Sequence, residues 1–195
     1  FERHTMMNEQ IFWELIDKAI QAPNSNFETR CVTLTELLTA YSAEEILAFE
    51  HILRNKIEEA STWPVMAATF VVCSFISDDT YEDFRAWLVG QGREKFYKAL
   101  QDPNEICNFL SPKEAEDLGG EYMLFVAVNA WLEKTGEEDE EVFYKLIEHP
   151  DEKIIKQQWP ESKEAYRKLF PKLYDTFWNE DRIARKLEEA EGEDD

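Results

Sequence analysis

Apolar residues recur at three- and four-residue steps along most of the chain, and that spacing predicts helices in series. Ile11, Phe12, Leu15, Ile16, Ala19 and Ile20 share one face, with Asn8 placed as a cap, so a helix is expected over 8–22. Pro23-Asn24-Ser25-Asn26 ends it. Residues 27–41 include Cys31-Val32-Thr33-Leu34-Thr35, which favours a strand on propensity, yet Val32, Leu34, Leu37, Leu38 and Tyr41 keep helical spacing and helix prevails. Ser42-Ala43-Glu44-Glu45 matches a capping box, followed on one face by Ile46, Phe49, Leu53 and Ile57. Thr62-Trp63-Pro64 opens the next helix, with proline in the first turn where a missing N–H costs least. From Val65 to Phe75 that helix is apolar nearly all round, which places it at the centre of the fold.

The stretch from Ser77 to Tyr97 holds a helix start, an inward stripe of Tyr81, Phe84, Trp87 and Leu88, and a Gly90-Gln91-Gly92 turn. Asp102-Pro103 breaks the chain, and a short helical turn is expected over 104–109. Ser111-Pro112 starts another helix by cap-plus-proline logic until Gly119-Gly120 interrupts it. Tyr122, Phe125, Val126, Asn129 and Leu132 carry a long helix to Lys134, stopped by Gly136. A helix over 141–148 follows. Residues between Pro150 and Pro160 link to helices over 162–170 and from Pro171 to about 190, with Leu173, Phe177 and Trp178 facing in. The pattern predicts an all-α fold: one domain of about seven to nine helices around a buried central helix, with 7–187 as the domain, 1–6 as an appended segment and 188–195 as an acidic tail.

Composition supports this. Thirteen Phe, seven Tyr and six Trp against six Gly and seven Pro favour long helices over a many-stranded sheet. Cys31, Cys73 and Cys107 are odd in number and far apart, as reduced core thiols of a cytoplasmic protein are. The longest apolar run, 63–76, is interrupted by Pro64, Thr69 and Ser74, and falls short of the roughly 20 residues that cross a bilayer.

Charge changes the functional picture more than any motif. The net charge is -21, and two runs supply much of it: Glu137, Glu138, Asp139, Glu140 and Glu141, and the acids from Glu188 onward. Bare nucleic acid and anionic membrane are disfavoured as partners, and a basic protein is favoured. Asp78 or Asp79 suits a helix cap, while Asp78, Asp79, Glu82, Asp83 and Arg85 fall on neighbouring faces of one helix. They form a candidate patch able to hold a divalent cation or a cationic ligand, beside the plainer reading of a capped helix in which Arg85 holds neighbouring acids in register. The run Glu137 to Glu141 is a candidate docking site for a basic partner, beside the reading of a solvated helix start. Gly90-Gln91-Gly92-Arg93-Glu94-Lys95 lacks the third glycine of a dinucleotide loop and follows a helix instead of a strand. His4, His51 and His149 read as surface histidines, and no cofactor is implied.

Several of these residues also form a family pattern. Phe12-Trp13-Glu14-Leu15-Ile16, then Ser77-Asp78-Asp79 with Phe84-Arg85-x-Trp87-Leu88 and Gln91-Gly92-Arg93-Glu94, and later Glu121-Tyr122-Met123-Leu124 with Ala130-Trp131-x-Glu133-Lys134-Thr135-Gly136, make the chain resemble the bacterial domain of unknown function 4240 family from about residue 8 to 178. Ser74-Phe75-Ile76 stands where that family often has a glycine-containing turn, and Thr80 where glycine is common. The resemblance implies a helical, bacterial, cytosolic domain without an established activity. It also brings an association with a molybdate-metabolism regulator, although no oxyanion-binding loop is visible in this sequence.

The functional expectation is a non-enzymatic acidic interaction module, of the immunity or inhibitory type, that covers a basic partner. The alternatives are a small cation-dependent hydrolase or transferase using Asp78, Asp79 and Asp83, and a nucleic-acid mimic that occupies a DNA-binding protein.

Overall fold

Helix starts follow local side-chain chemistry throughout the chain. The computed structural model describes residues 6–23 and 26–192. Asn8 Oδ1 accepts the Ile11 N–H to open α1, Glu9–Ile20, and Asn26 Oδ1 accepts the Thr29 N–H to open α2, Phe27–Leu38. The expected capping box forms at α3, Ala43–Glu59, where Ser42 and Glu45 satisfy each other's backbone N–H. Thr62 caps α4, Trp63–Cys73, and Ser77 caps α5, Asp78–Val89, by accepting from Thr80. The α5 cap is therefore the serine. Asp78 and Asp79 sit in the first turn, where they meet only the positive helix end.

Next come α6, Arg93–Gln101; a 3₁₀ turn, Pro103–Asn108; a second 3₁₀ turn, Glu114–Glu116; and α7, Glu121–Thr135, which Gly136 ends in the left-handed region. The chain finishes with α8, Glu140–Tyr144; an extended strap over residues 145–162; α9, Lys163–Leu169; α10, Pro171–Phe177; and α11, Glu180–Gly192. There is no strand among the described residues, and none of their helices is long and apolar enough to cross a membrane. Of the expected acidic tail, residues 188–192 are the last turns of α11. Residues 193–195, like His4, Asn24 and Ser25, lie outside the described set.

The all-α, single-domain architecture is as expected, but the described residues hold eleven α-helices and two 3₁₀ turns, above the predicted seven to nine. Three stretches depart from the expected helices, and the last of them adds one. Ser111 and Glu114 exchange hydrogen bonds as a cap should, yet Gly119, at φ 64°, follows too soon for a helix to propagate, leaving a 3₁₀ turn. The helix expected over 141–148 is the five-residue α8. The final helix breaks at Trp178 (ψ 123°), whose ring stacks on Tyr174 at 4.9 Å and meets Phe70 at 5.9 Å, and Asn179 then caps α11.

The α4 helix is enclosed by α5, α6, α10 and both 3₁₀ turns, with Val65, Ala67, Ala68, Val71 and Val72 buried. A second hub is α7, against α2, α3, α5 and α8. Its inward face is Met123, Val126, Ala127, Ala130 and Trp131, so the expected face is corrected: Tyr122, Phe125 and Asn129 are exposed. Val32 on α2 likewise points out, while Leu34 and Leu38 are buried. Both helices are apolar on more than one side, and tertiary packing chose among equivalent stripes.

Four of the chain's cations bind helix ends. Arg85 Nη1 donates to Ile57 O at 3.1 Å in the last turn of α3, Arg182 to Val72 O at 3.1 Å near the end of α4, Arg30 to Gly90 O at 2.9 Å after α5, and Lys134 to Thr39 O at 3.3 Å after α2. Each positive charge meets carbonyls left without an intrahelical partner at the negative end of a helix.

Candidate functional site

The α3 and α5 helices pack side by side, and the strap closes over the gap between them. The result is a cleft of about 420 Å³, with Arg54 and Glu58 on α3, Asp78, Asp79, Glu82 and Arg85 on α5, and His149 and Lys153 on the strap.

Two chains of charge run along its floor. Arg54 Nε meets Glu50 Oε1 at 2.6 Å, and its Nη1 reaches Glu82 Oε1 at 3.5 Å. Glu50 is fully buried, and burial pushes its carboxyl pKa up against the opposing pull of Arg54. Arg85 lies 3.6 Å from Glu58 Oε2, donates to Tyr81 O at 3.2 Å, and stacks over the Tyr81 ring at 4.1 Å. Arg85 therefore pairs with an acid on another helix, and the expectation that it holds the α5 acids in register is corrected: Glu82 belongs to Arg54. Both guanidiniums are bound to protein acceptors, so Asp78 and Asp79 remain as exposed acceptors at the cleft mouth.

The strap is held by backbone bonds to α3. The Lys153 N–H donates to Glu58 Oε1 at 2.6 Å, and the Glu148 N–H to His51 Nε2 at 3.1 Å. His51 is thus an acceptor that latches the strap. Further along, Trp159 meets Trp63 at 5.2 Å.

Asp83 is separated from this arrangement. It lines a smaller cavity of about 180 Å³ with Cys73, Thr80, Glu121, Arg182 and Lys186, on the side of α5 where α7 begins. Gly120 lies against the Asp83 backbone, where a Cβ would run into the Asp83 carbonyl. Burial first, then Glu121, Glu82 and Asp79, raise the Asp83 carboxyl to about 6. The Asp78, Asp79, Glu82, Asp83 and Arg85 patch is therefore split, four residues in the cleft and one behind it.

Glu137, Glu138, Asp139, Glu140 and Glu141 are all exposed. Asp139 Oδ1 accepts the Glu141 N–H at the start of α8, Glu137 Oε1 accepts from Glu138 and Asp139, and none of the five forms an ion pair among the described residues. No group of three or more His, Cys, Asp or Glu among those residues is arranged to hold a metal ion. The three cysteines are free, and burial pushes the thiols of Cys31 and Cys73 up to about 12, far from nucleophilic use at neutral pH.

The periodicity did not assign Arg54, Glu58, His149 or Lys153 to the cleft. Glu50 left one trace, an acid inside the Ile46, Phe49, Leu53 stripe with an arginine four residues on. The strap contacts span some 95 residues of sequence and leave none.

Residues 7–134 match the family described as Protein of unknown function (DUF4240), and the chain belongs to that family. No curated protein and no solved structure matches the chain. The matched region covers α1 to α7 and thus two walls of the cleft, while the strap lies beyond it.

Proposed function

We propose that this member of the DUF4240 family is a non-enzymatic, acidic interaction module of the immunity or inhibitory type, docking a basic protein in the cytoplasm. The observation that carries this reading is the run Glu137 to Glu141: five exposed carboxylates free of ion pairs among the described residues. Only the Glu137 and Asp139 carboxylates are held by backbone N–H groups, and the other three are left to solvent; a surface of this sign speeds encounter with a basic partner and makes it steeply salt-dependent. The free cysteines suit a reducing compartment. A cation-dependent hydrolase or transferase built on Asp78, Asp79 and Asp83 has less support, because Asp83 lines a different cavity. A nucleic-acid mimic differs from the leading reading in needing carboxylates at duplex-phosphate spacing along one face.

The test is affinity capture from the native host with the full chain and with Glu137→Gln/Glu138→Gln/Glu140→Gln/Glu141→Gln. A basic protein should be retained at low salt, released as salt rises, and lost by roughly tenfold or more with the variant. Retention indifferent to salt and to the four substitutions would overturn the reading.

A further inference from the structure

Of the α7 residues that the periodicity assigns to the core, Val126 is buried but Tyr122, Phe125 and Asn129 are left uncovered. Phe125 is 46% exposed and Tyr122 39%, and on the neighbouring helix Val32 is 54% exposed. The α2 and α7 helices pack together and run parallel. At their starts, Phe27 lies by Gly119, and Glu28 beside the Tyr122 phenol raises its pKa. At their ends, Lys134 donates to Thr39 O. This register brings Val32 level with the middle of α7, at about the height of Phe125. Along α2 the exposed positions step by four through Glu28, Val32 and Glu36; along α7 they step by four through Glu121, Phe125, Asn129 and Glu133, so the Asn129 amide flanks the apolar centre. The seam is an apolar centre with carboxylates at both ends, and those four glutamates make no ion pair among the described residues.

We propose that the α2–α7 seam is the docking surface for an amphipathic basic helix of a partner protein, whose apolar stripe covers Val32, Tyr122 and Phe125 while lysines or arginines meet the glutamates at either end. Charge selects this occupant. A second copy would bring another -21 onto the same surface, and an acidic or neutral helix would leave the four carboxylates unmatched. Helix-in-groove recognition needs anchors at three- and four-residue spacing, and the two parallel helices supply a furrow of that pitch. Exposed apolar side chains grouped this way mark interaction surfaces more often than scattered ones do. The inference rests on the acidic-module reading and adds to it where the partner sits and what shape it has.

The probes are two synthetic helices of equal positive charge, one with a leucine stripe and one with that stripe changed to glutamine, titrated against the full chain at low and high salt. The leucine-striped helix should bind about tenfold more tightly, and Val32→Ser/Phe125→Ser should erase that preference. Changing Glu28, Glu36, Glu121 and Glu133 to Gln should weaken both helices and flatten the salt dependence. All these positions are exposed, and far-ultraviolet circular dichroism confirms that each variant is folded. A leucine preference that survives Val32→Ser/Phe125→Ser would overturn the seam and leave the acidic-module reading to its own test. Absence of binding by either helix at low salt would remove both. Self-association of the chain alone, abolished by the same double variant, would give the seam to a second copy and refute the proposal.

Discussion

Ser74 ends α4 at φ 59°, the one described non-glycine residue in the left-handed region, and its buried Oγ has no hydrogen-bond partner. A glycine would adopt that conformation without a Cβ penalty, so the serine is a local strain. Ser74→Gly should raise stability by about 0.5–1 kcal/mol, read as a later urea midpoint at unchanged m-value; an earlier midpoint would show that the serine is needed. Asp83 is a second residue held against its preference. Its pKa is raised in the folded state, so the native chain binds the proton more tightly than the unfolded chain does. The cost of ionising it is absent at low pH, grows between about 4 and about 6, and is complete above that window. Asp83→Asn should therefore stabilise by on the order of 1 kcal/mol near pH 8, a figure discounted for solvent contact, and by little near pH 4. Equal effects in denaturation at both values would refute the assignment.

At the scale of elements, what is local was legible and what is relational was not. Asn8, Ser42, Thr62 and Ser162 each mark a helix start within four residues of sequence, and all four cap as that chemistry dictates. The face a helix buries depends on neighbours that may be distant in sequence, and an apolar stripe identifies it only when there is one stripe. In α3 there is one, and Ile46, Phe49, Leu53 and Ile57 are buried as read. In α7 there are two, and the expected stripe straddles them, with Val126 inside and Tyr122, Phe125 and Asn129 outside. The site divides the same way: Asp78, Asp79, Glu82 and Arg85 share a cleft, as their spacing allows, but Asp83, equally four from Asp79, lines a different cavity, and neighbouring elements decide between the two. The joint between α5 and α7 depends on a contact that no periodicity encodes, Gly120 against the Asp83 backbone. Gly120→Ala should cost about 3 kcal/mol, seen as a lowered midpoint of thermal unfolding, whereas a neutral result would mean that α7 can shift along α5.

Across the whole molecule, the class was legible from composition and period, and the assembly was not. Arg30, Arg85, Arg182 and Lys134 each reach a carbonyl at the end of a helix other than their own, and such pairings are invisible before the fold exists. They also show that a chain of net charge -21 places four of its 21 cations on helix termini, leaving acids to dominate the surface. The parallel register of α2 and α7 bears on synthesis as well. About 80 residues separate the two helices, so α2 emerges from the ribosome with α1 to pack on but long before α7, its other large neighbour. The seam cannot exist on a nascent chain that stops short of residue 134, and a partner that docks there reads the protein only after α1 to α7 have come together.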